Sequence, residues 1–348
     1  MARVTLQTIA EHVGVSRMTV SNAFSRPDQL SADLRTRIMD AAQALGYSGP
    51  DPAARALASG RTGVVGMVLT NSPRDAFTDE VAVGFVRAVA GSLADAGYSL
   101  VLLHSSSHDG VVPARDVAMD GAIIYSCTPR TKAVTALTAR RLPVVTVEGA
   151  PIPGMPSISL DNSTGAHEAA QHLIDLGHSD IALVVPTVDA DDEPPSESVL
   201  ASATSTTAER LGGWIRALTE SGIVPRIVGT PGLAIDEILK TRIGRMLDAP
   251  PTAVLAWSDL AALEVIEQAR ARGIRVPEDL SVVGFDDSPL AARVSPALTT
   301  VRQDIDAKGE AAAAALLAMM RNESTPGSQV LTTGLVIRES TRSPSVDR

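Results

Sequence analysis

Residues Val4–Pro27 read VTLQTIAEHVGVSRMTVSNAFSRP, two short helical patterns with a glycine between them. Thr5 can cap a first helix, on which Leu6, Ile9, Ala10 and Val13 recur at spacings of three and four. Gly14 supplies a tight turn, where positive φ meets no side-chain penalty. Ser16 can cap a second helix, Arg17 to about Phe24, which turns Val20 and Phe24 inward. Ala10 is small where the two helices would cross, and Val15 and Val20 close a miniature core. That is a helix-turn-helix pattern. The outward face of the second helix presents Arg17, Met18, Ser21 and Asn22. Arg reads guanine, Asn reads adenine, and Met can contact a thymine methyl. A plain helical hairpin with a solvated face looks alike over so short a span, so the flanking sequence decides.

The flank is LSADLRTRIMDAAQALGY, residues Leu30–Tyr47. Ser31 caps it, Leu34, Ile38, Ala41 and Leu45 share one face, and Gly46 stops it. Three helices within residues 1–47 make a small DNA-binding head. In the linker that follows, Asp51 is a plausible N-cap and Pro52 fits the first helical position. Only a few residues remain before Ser59-Gly60, and an isolated helix so short is unstable in water. Residues 48–60 therefore read as a linker and hinge helix that needs a partner to form.

Charge follows the same division. The chain of 348 residues carries −10, which alone argues against nucleic acid. Residues 1–60 nevertheless hold six Arg against five acids, while 24 of the 30 basic and 35 of the 40 acidic residues lie beyond them. Screening over about 8 Å separates such an acidic remainder from a DNA surface. A hydrophobic share of 45% with 20% charged residues describes a folded chain, and 3% aromatics leave its core to Val, Ile, Leu and Ala. One cysteine, Cys127, excludes an intrachain disulfide and any multi-thiolate metal site. No apolar run approaches the about 20 residues of a bilayer span, and acid, His and Gly interrupt the first residues where a signal peptide would be apolar. The expected location is the cytoplasm, with no membrane partner.

From Thr62 onward, strand-like runs alternate with helical patterns. The strand candidates are 64–69, 99–103, 121–125, 144–147, 157–160, 181–185, 227–228, 253–256 and 281–285. Helical patterns lie between most of them, at 80–96, 166–176, 208–221, 235–247 and 260–272. Such alternation builds an α/β fold of parallel sheets covered by helices on both faces, with ligands at the carboxyl ends of the strands. At those ends stand Asn71, Ser72, Asp75 and the aromatic Phe77 after the first strand, then Glu148, Asp161-Asn162, Trp257-Ser258 and Asp286. Arg210 is expected to open the helix that carries Trp214. Carboxylates, one Arg and an aromatic suit a polyhydroxylated ligand. Asp259 and Asp287 read best as helix caps. Pro186–Thr207 is long, acidic and Ser/Thr-rich for a loop in a compact core, and the last residues, 341–348, read as a loose tail.

Thr5-Leu-x-x-Ile-Ala, Gly14-Val-Ser, Thr19-Val-Ser, Leu45-Gly-Tyr47 and Ala54-Arg-Ala-Leu57 together resemble the LacI/GalR family of bacterial repressors. RLGGW (210–214), SDLAAL (258–263), VPEDLSVVGFDD (276–287) and PALTTVRQD (296–304) resemble it too, in order and spacing. The resemblance implies a two-lobed, periplasmic-binding-protein-like core at residues 61–340, a homodimer on a near-palindromic operator in double-stranded DNA, and a small effector, a sugar or sugar derivative favoured. It implies DNA contacts by Thr5, Arg17, Met18, Ser21, Asn22 and Arg55, with Leu57 as an apolar wedge in the minor groove. It also implies effector contacts by Ser72, Phe77, Glu148, Asp161, Arg210, Trp257, Ser258 and Asp286. Ser258 departs from the family's usual Asn and loses a two-ended amide.

Other classes explain less. HEAAQH, residues His167–His172, puts its second His five positions on, about 140° from the first and so off the face a zinc site needs. The chain has no Gly-x-Gly-x-x-Gly after a strand, no P-loop and no Gly-x-Ser-x-Gly elbow. A sugar- or nucleotide-metabolising α/β enzyme would leave the head and hinge without a purpose. A transport binding protein would need an export signal and no head. No catalytic residue, metal or cofactor is expected.

Overall fold

The computed structural model describes residues 4–345 except 50, 70–76, 78, 106–110, 127–130, 187–190, 194–204, 231, 233 and 324–326. The chain divides into two units, residues 1–63 with 118–120, and the remainder.

In the first unit, α1 (Leu6–Val13) is capped by Thr5, whose hydroxyl accepts from the Thr8 amide, and it ends at Gly14 with φ +79°. Ser16 caps α2 (Arg17–Ser25), and Ser31 caps α3 (Ala32–Ala44). Ile9, Ala10, Val20, Ala23, Ile38, Ala41 and Ala42 are buried among the three. Phe24 is half-buried and meets Tyr47 edge-on at 5.7 Å. The inward positions thus include Ala23, whose small side chain lets α2 lie close. The helix α4 (Pro52–Ser59) has Asp51 as its cap and ends at Gly60 in the left-handed region.

The second unit holds two sheets. The first is β1 (Val64–Leu69), β2 (Ser99–His104), β3 (Gly121–Tyr125), β4 (Val144–Val147), β5 (Ser157–Leu160) and β12 (Gln329–Leu331). Its order is β12-β5-β4-β3-β1-β2, all parallel. The second comprises β6 (Ile181–Val185), β7 (Asp191–Glu193), β8 (Arg226–Gly229), β9 (Ala253–Ala256), β10 (Ser281–Asp286), β11 (Thr299–Gln303) and β13 (Thr333–Val336). Its order is β13-β11-β10-β9-β6-β8-β7, parallel except for the two edges. Covering helices are α5 (Glu80–Asp95), α6 (Pro113–Asp116), α7 (Lys132–Arg140), α8 (Asn162–Asp175), α9 (Ser205–Glu220), α10 (Glu237–Asp248), α11 (Asp259–Ala271) and α12 (Ile305–Met320). Each sheet has its own apolar core, with Phe85 in one and Trp214 and Phe285 in the other. Gly309 brings α12 so close to α5 that a Cβ there would collide with Ala88 and the α5 backbone.

The chain changes sheets three times, after β5, after β11 and after β12. These crossovers place Asp161-Asn162, Gln303-Asp304 and Thr333 between the lobes. The third is tied to the first, since the Thr333 hydroxyl donates to the Asp161 carbonyl at 2.8 Å.

Four expectations need correction. The strands β7, β11, β12 and β13 and the helices α6, α7 and α12 were not foreseen; three of these strands are short or polar, and α12 is Ala-rich without a clear apolar stripe. Arg210 lies within α9, a turn past its start. The tail is not loose at 341–342: Thr341 bonds to His172, and the Arg342 carbonyl accepts from His178. Asp259 and Asp287 are not caps, because Ser258 caps α11 and Asp287 binds Arg302 and Arg338.

Candidate functional site

On the head, capping and burial leave one face of α2 to solvent. Val20 and Ala23 point inward, Arg17 is exposed, and Met18 is 69% exposed. Ser21 and Asn22 are half-buried, and the Asn22 amide donates to Gln29 at 3.3 Å. Thr5 is exposed but its hydroxyl is engaged in the cap. On α4, Arg55 is exposed and Leu57 is 88% exposed.

Between the two sheets of the core lies a buried polar chain. Arg210, on α9, is 8% exposed and lies 3.6 Å over the ring of Phe285. Its Nε donates to Asn162 Oδ1 at 3.1 Å, its Nη1 donates to the Trp257 carbonyl, and its Nη2 stands 3.4 Å from Asp286 Oδ1. Asp286 also accepts from Gln303 Nε2 at 2.6 Å, and Gln303 Oε1 accepts from Lys308 Nζ at 2.6 Å. Lys308, 1% exposed, lies 3.6 Å from Glu148 Oε1 and about equally far from the rings of Phe85 and Tyr125, at 6.0 and 5.8 Å. Asn162 donates to Glu209 at 3.0 Å. The chain thus runs from α8 and α9 through β10 and β11 to α12 and the end of β4.

Burial dominates its electrostatics, because removing water disfavours the charged form. It pushes the Asp286 carboxyl up to about 8, with nearby Asp259 and Asp79 adding to the rise and Arg210 and Gln303 opposing it. Burial lowers Lys308 and raises Tyr125 and Glu209. Asp259 is raised to about 6 by burial, against hydrogen bonds from Thr300 and the Ser288 amide. The backbone is also strained here: φ is +55° at Glu148, +119° at Asp286 and +55° at Asp287. Such conformations cost on the order of 1–3 kcal/mol each and persist where the surroundings hold them.

The geometry brings Glu148, Arg210 and Asp286 into one cluster. Trp257 joins through its carbonyl, while its side chain belongs to the second lobe's core and is 5% exposed. Ser258 and Asp161 sit next to the cluster in sequence, but both are occupied as helix caps. Phe77, 59% exposed, stands at the rim of a groove of about 700 Å³ that also takes in Val83, Arg87, Arg302 and Gln303. Ser72 lies outside the described residues, as does most of Pro186–Thr207. The sequence reading did not single out Gln303, Lys308 or Phe285, and it placed Asn162 at a strand end without assigning it to the effector. Gln303 ends a strand that was not recognised, and Lys308 in a first helical turn reads as a solvated charge. Among the described residues no cluster of His, Cys, Asp and Glu could hold a metal, and no helix is long and apolar enough to cross a membrane. His167 and His172 meet Glu220 and Thr341 instead.

A three-helix head with a reading face, joined in one chain to a two-sheet α/β core, defines a DNA-binding transcriptional regulator with a periplasmic-binding-protein-like domain. Residues 5–49 match the bacterial regulatory proteins of the lacI family, and residues 170–341 match a periplasmic binding protein-like domain. The HTH-type transcriptional regulator Rv3575c of Mycobacterium tuberculosis is 36% identical, over 96% of each chain. A crystal structure of the lac repressor dimer bound to operator and the anti-inducer ONPF is similar with a TM-score of 0.76 and 26% identity, over 98% of this chain and all of that one. The transcriptional regulator CelR–cellobiose complex is similar with a TM-score of 0.65 and 28% identity, over 97% of this chain and all of that one. The chain belongs to the LacI family of transcriptional regulators and is not an enzyme.

Proposed function

We propose that this regulator is a cytoplasmic repressor that binds a near-palindromic operator as a homodimer and releases or tightens it in response to a small, hydroxyl-rich effector. The observation that carries this reading is the buried Arg210–Asp286 pair, at 3.4 Å, at the chain's crossing between the lobes. A buried charged pair costs desolvation and is weak evidence of stability on its own. Set at strand ends with backbone strain, it suits a ligand that both donates and accepts. Arg17, Met18, Ser21 and Asn22 are the base-reading residues, Thr5 and Arg55 steady the DNA, and Leu57 is the minor-groove wedge. Glu148, Arg210 and Asp286 form the centre of the effector site, with Ser72, Phe77, Asp161, Trp257 and Ser258 around it. Cellobiose bound to CelR, a family relative, supports a sugar as effector class. Residues 1–47, 48–60 and 61–340 are assigned as head, linker with hinge, and effector-binding core.

The test starts from random duplex DNA, from which full-length protein selects its operator. Fluorescence anisotropy on that operator is then repeated with sugars, sugar phosphates and nucleosides. One compound should move operator affinity by about 5–150-fold, the range of 1–3 kcal/mol couplings. A selected consensus without two-fold symmetry would overturn the dimeric reading, and binding indifferent to every compound would overturn the sugar-like effector.

A further inference from the structure

We infer that Lys308 is a positioning residue for the effector site: it fixes the side-chain amide of Gln303, whose NH₂ end then holds Asp286 toward its ionised, accepting form. The inference rests on the assignment of Arg210 and Asp286 to that site. An amide can be turned end for end with little change in shape, so its neighbours decide which end is oxygen. An ammonium has three donors and no acceptor. Lys308 Nζ, 2.6 Å from the amide, therefore takes the oxygen, and the NH₂ end is left to Asp286 Oδ1, also at 2.6 Å. Turned over, Gln303 would set donor against donor at Lys308 and oxygen against carboxylate at Asp286.

Lys308 is itself held against movement. It is 1% exposed, the rings of Phe85 and Tyr125 lie about 6 Å from its nitrogen, and Glu148 stands at 3.6 Å. Phe85 and Tyr125 stack at 4.6 Å, so that wall is set by the first lobe's core. The charged groups that bear on Lys308 are Glu148, Asp286 and Arg210; those that bear on Asp286 are Arg210, Asp259 and Asp79. Lys308 does not need to touch the ligand to act. The bond from Gln303 favours the ionised form of Asp286 against its burial; in that form a ligand hydroxyl must donate to it, and a site built on that bond rejects an analogue lacking the hydroxyl.

The test needs no ligand. Full-length protein with ¹³C-labelled Asp carboxyls is titrated by NMR, and the Asp286 signal is identified by its loss in Asp286→Asn. Lys308→Met should raise the Asp286 midpoint, and Lys308→Arg should restore it. In a Gln303→Met background the same Lys308→Met change should give a clearly smaller shift, since the amide through which Lys308 acts is gone. Equal shifts in both backgrounds would mean that Lys308 acts by its charge alone, and no shift would mean it does not act; either overturns the inference. Should Lys308→Met fail to fold, Lys308→Gln is read by the same criteria. Titrations as expected in a protein that binds no sugar would leave this assignment standing and remove the sugar effector.

Discussion

The head and the interlobe cluster put charge to opposite uses. On α2 and α4 four of the side chains proposed to meet DNA are bare: Met18 is 69% and Leu57 88% exposed, and Arg17 and Arg55 face solvent. Between the lobes Arg210, Asp286 and Lys308 are all less than 10% exposed, and each cation is matched by a carboxylate. DNA brings its own dense charge and pulls on exposed cations, so a head needs no buried preparation. A small neutral ligand brings only hydroxyls, and dry charges with few partners answer those strongly. The contrast predicts that substitutions in the cluster damage the fold and those on the head damage only recognition.

The largest effect should follow Arg210→Ala, which leaves the buried Asp286 without its cation and with Gln303 as its hydrogen-bond partner. Loss of one partner of a buried pair costs about 3–5 kcal/mol, to be read from denaturant melts of the whole protein. Arg17→Ala should leave the same melt unchanged within about 0.5 kcal/mol. A small loss for Arg210→Ala would show that water reaches Asp286 and would erase the contrast.

Next in size, Arg17→Ala or Asn22→Ala should cost about 1–3 kcal/mol of preference for the operator over altered sites. Binding to random DNA should stay, along with its salt dependence. Equal losses on both would make these residues phosphate contacts.

The smallest effect sharpens the boundary of the cluster. Ser258 accepts from the Ala261 amide at 3.2 Å as the cap of α11. Ser258→Ala should therefore cost about 1 kcal/mol of stability, and calorimetry should show a smaller loss of effector affinity than for Arg210→Ala, since Ser258 stands around the proposed site and not at its centre. An unchanged affinity would remove Ser258 from the proposed effector site.

The head was legible almost residue by residue, because caps at Thr5, Ser16 and Ser31 and glycines at 14 and 46 are local signals. The strand–helix alternation of the core was legible in β1, β3, β4, β6 and β9, whose apolar runs are buried on both faces, and in β5, where Ile158 and Leu160 alternate with Ser. Strands such as β11, TTVRQ, hid because their polar positions are filled by long-range bonds: Thr300 to Asp259 and Gln303 to Asp286. Lys308 could not be singled out in sequence. Its burial depends on Gly309 drawing α12 onto α5, and on two aromatic rings from elsewhere in the chain. Arg210 and Asp286 stood out by their places beside strand ends and were favoured by the resemblance, and their meeting, 76 positions apart, follows from the topology.

The central claim is that ligand contact at the Arg210–Asp286 pair governs the head's grip on DNA. Operator affinity is measured by anisotropy with and without the effector, on wild type and on Arg210→Lys, which keeps the charge but loses the planar fork that reaches Asn162, Trp257 and Asp286 together. The account predicts that both proteins bind operator alike without effector, and that effector shifts only the wild type. An effector response of the same size in Arg210→Lys would contradict it.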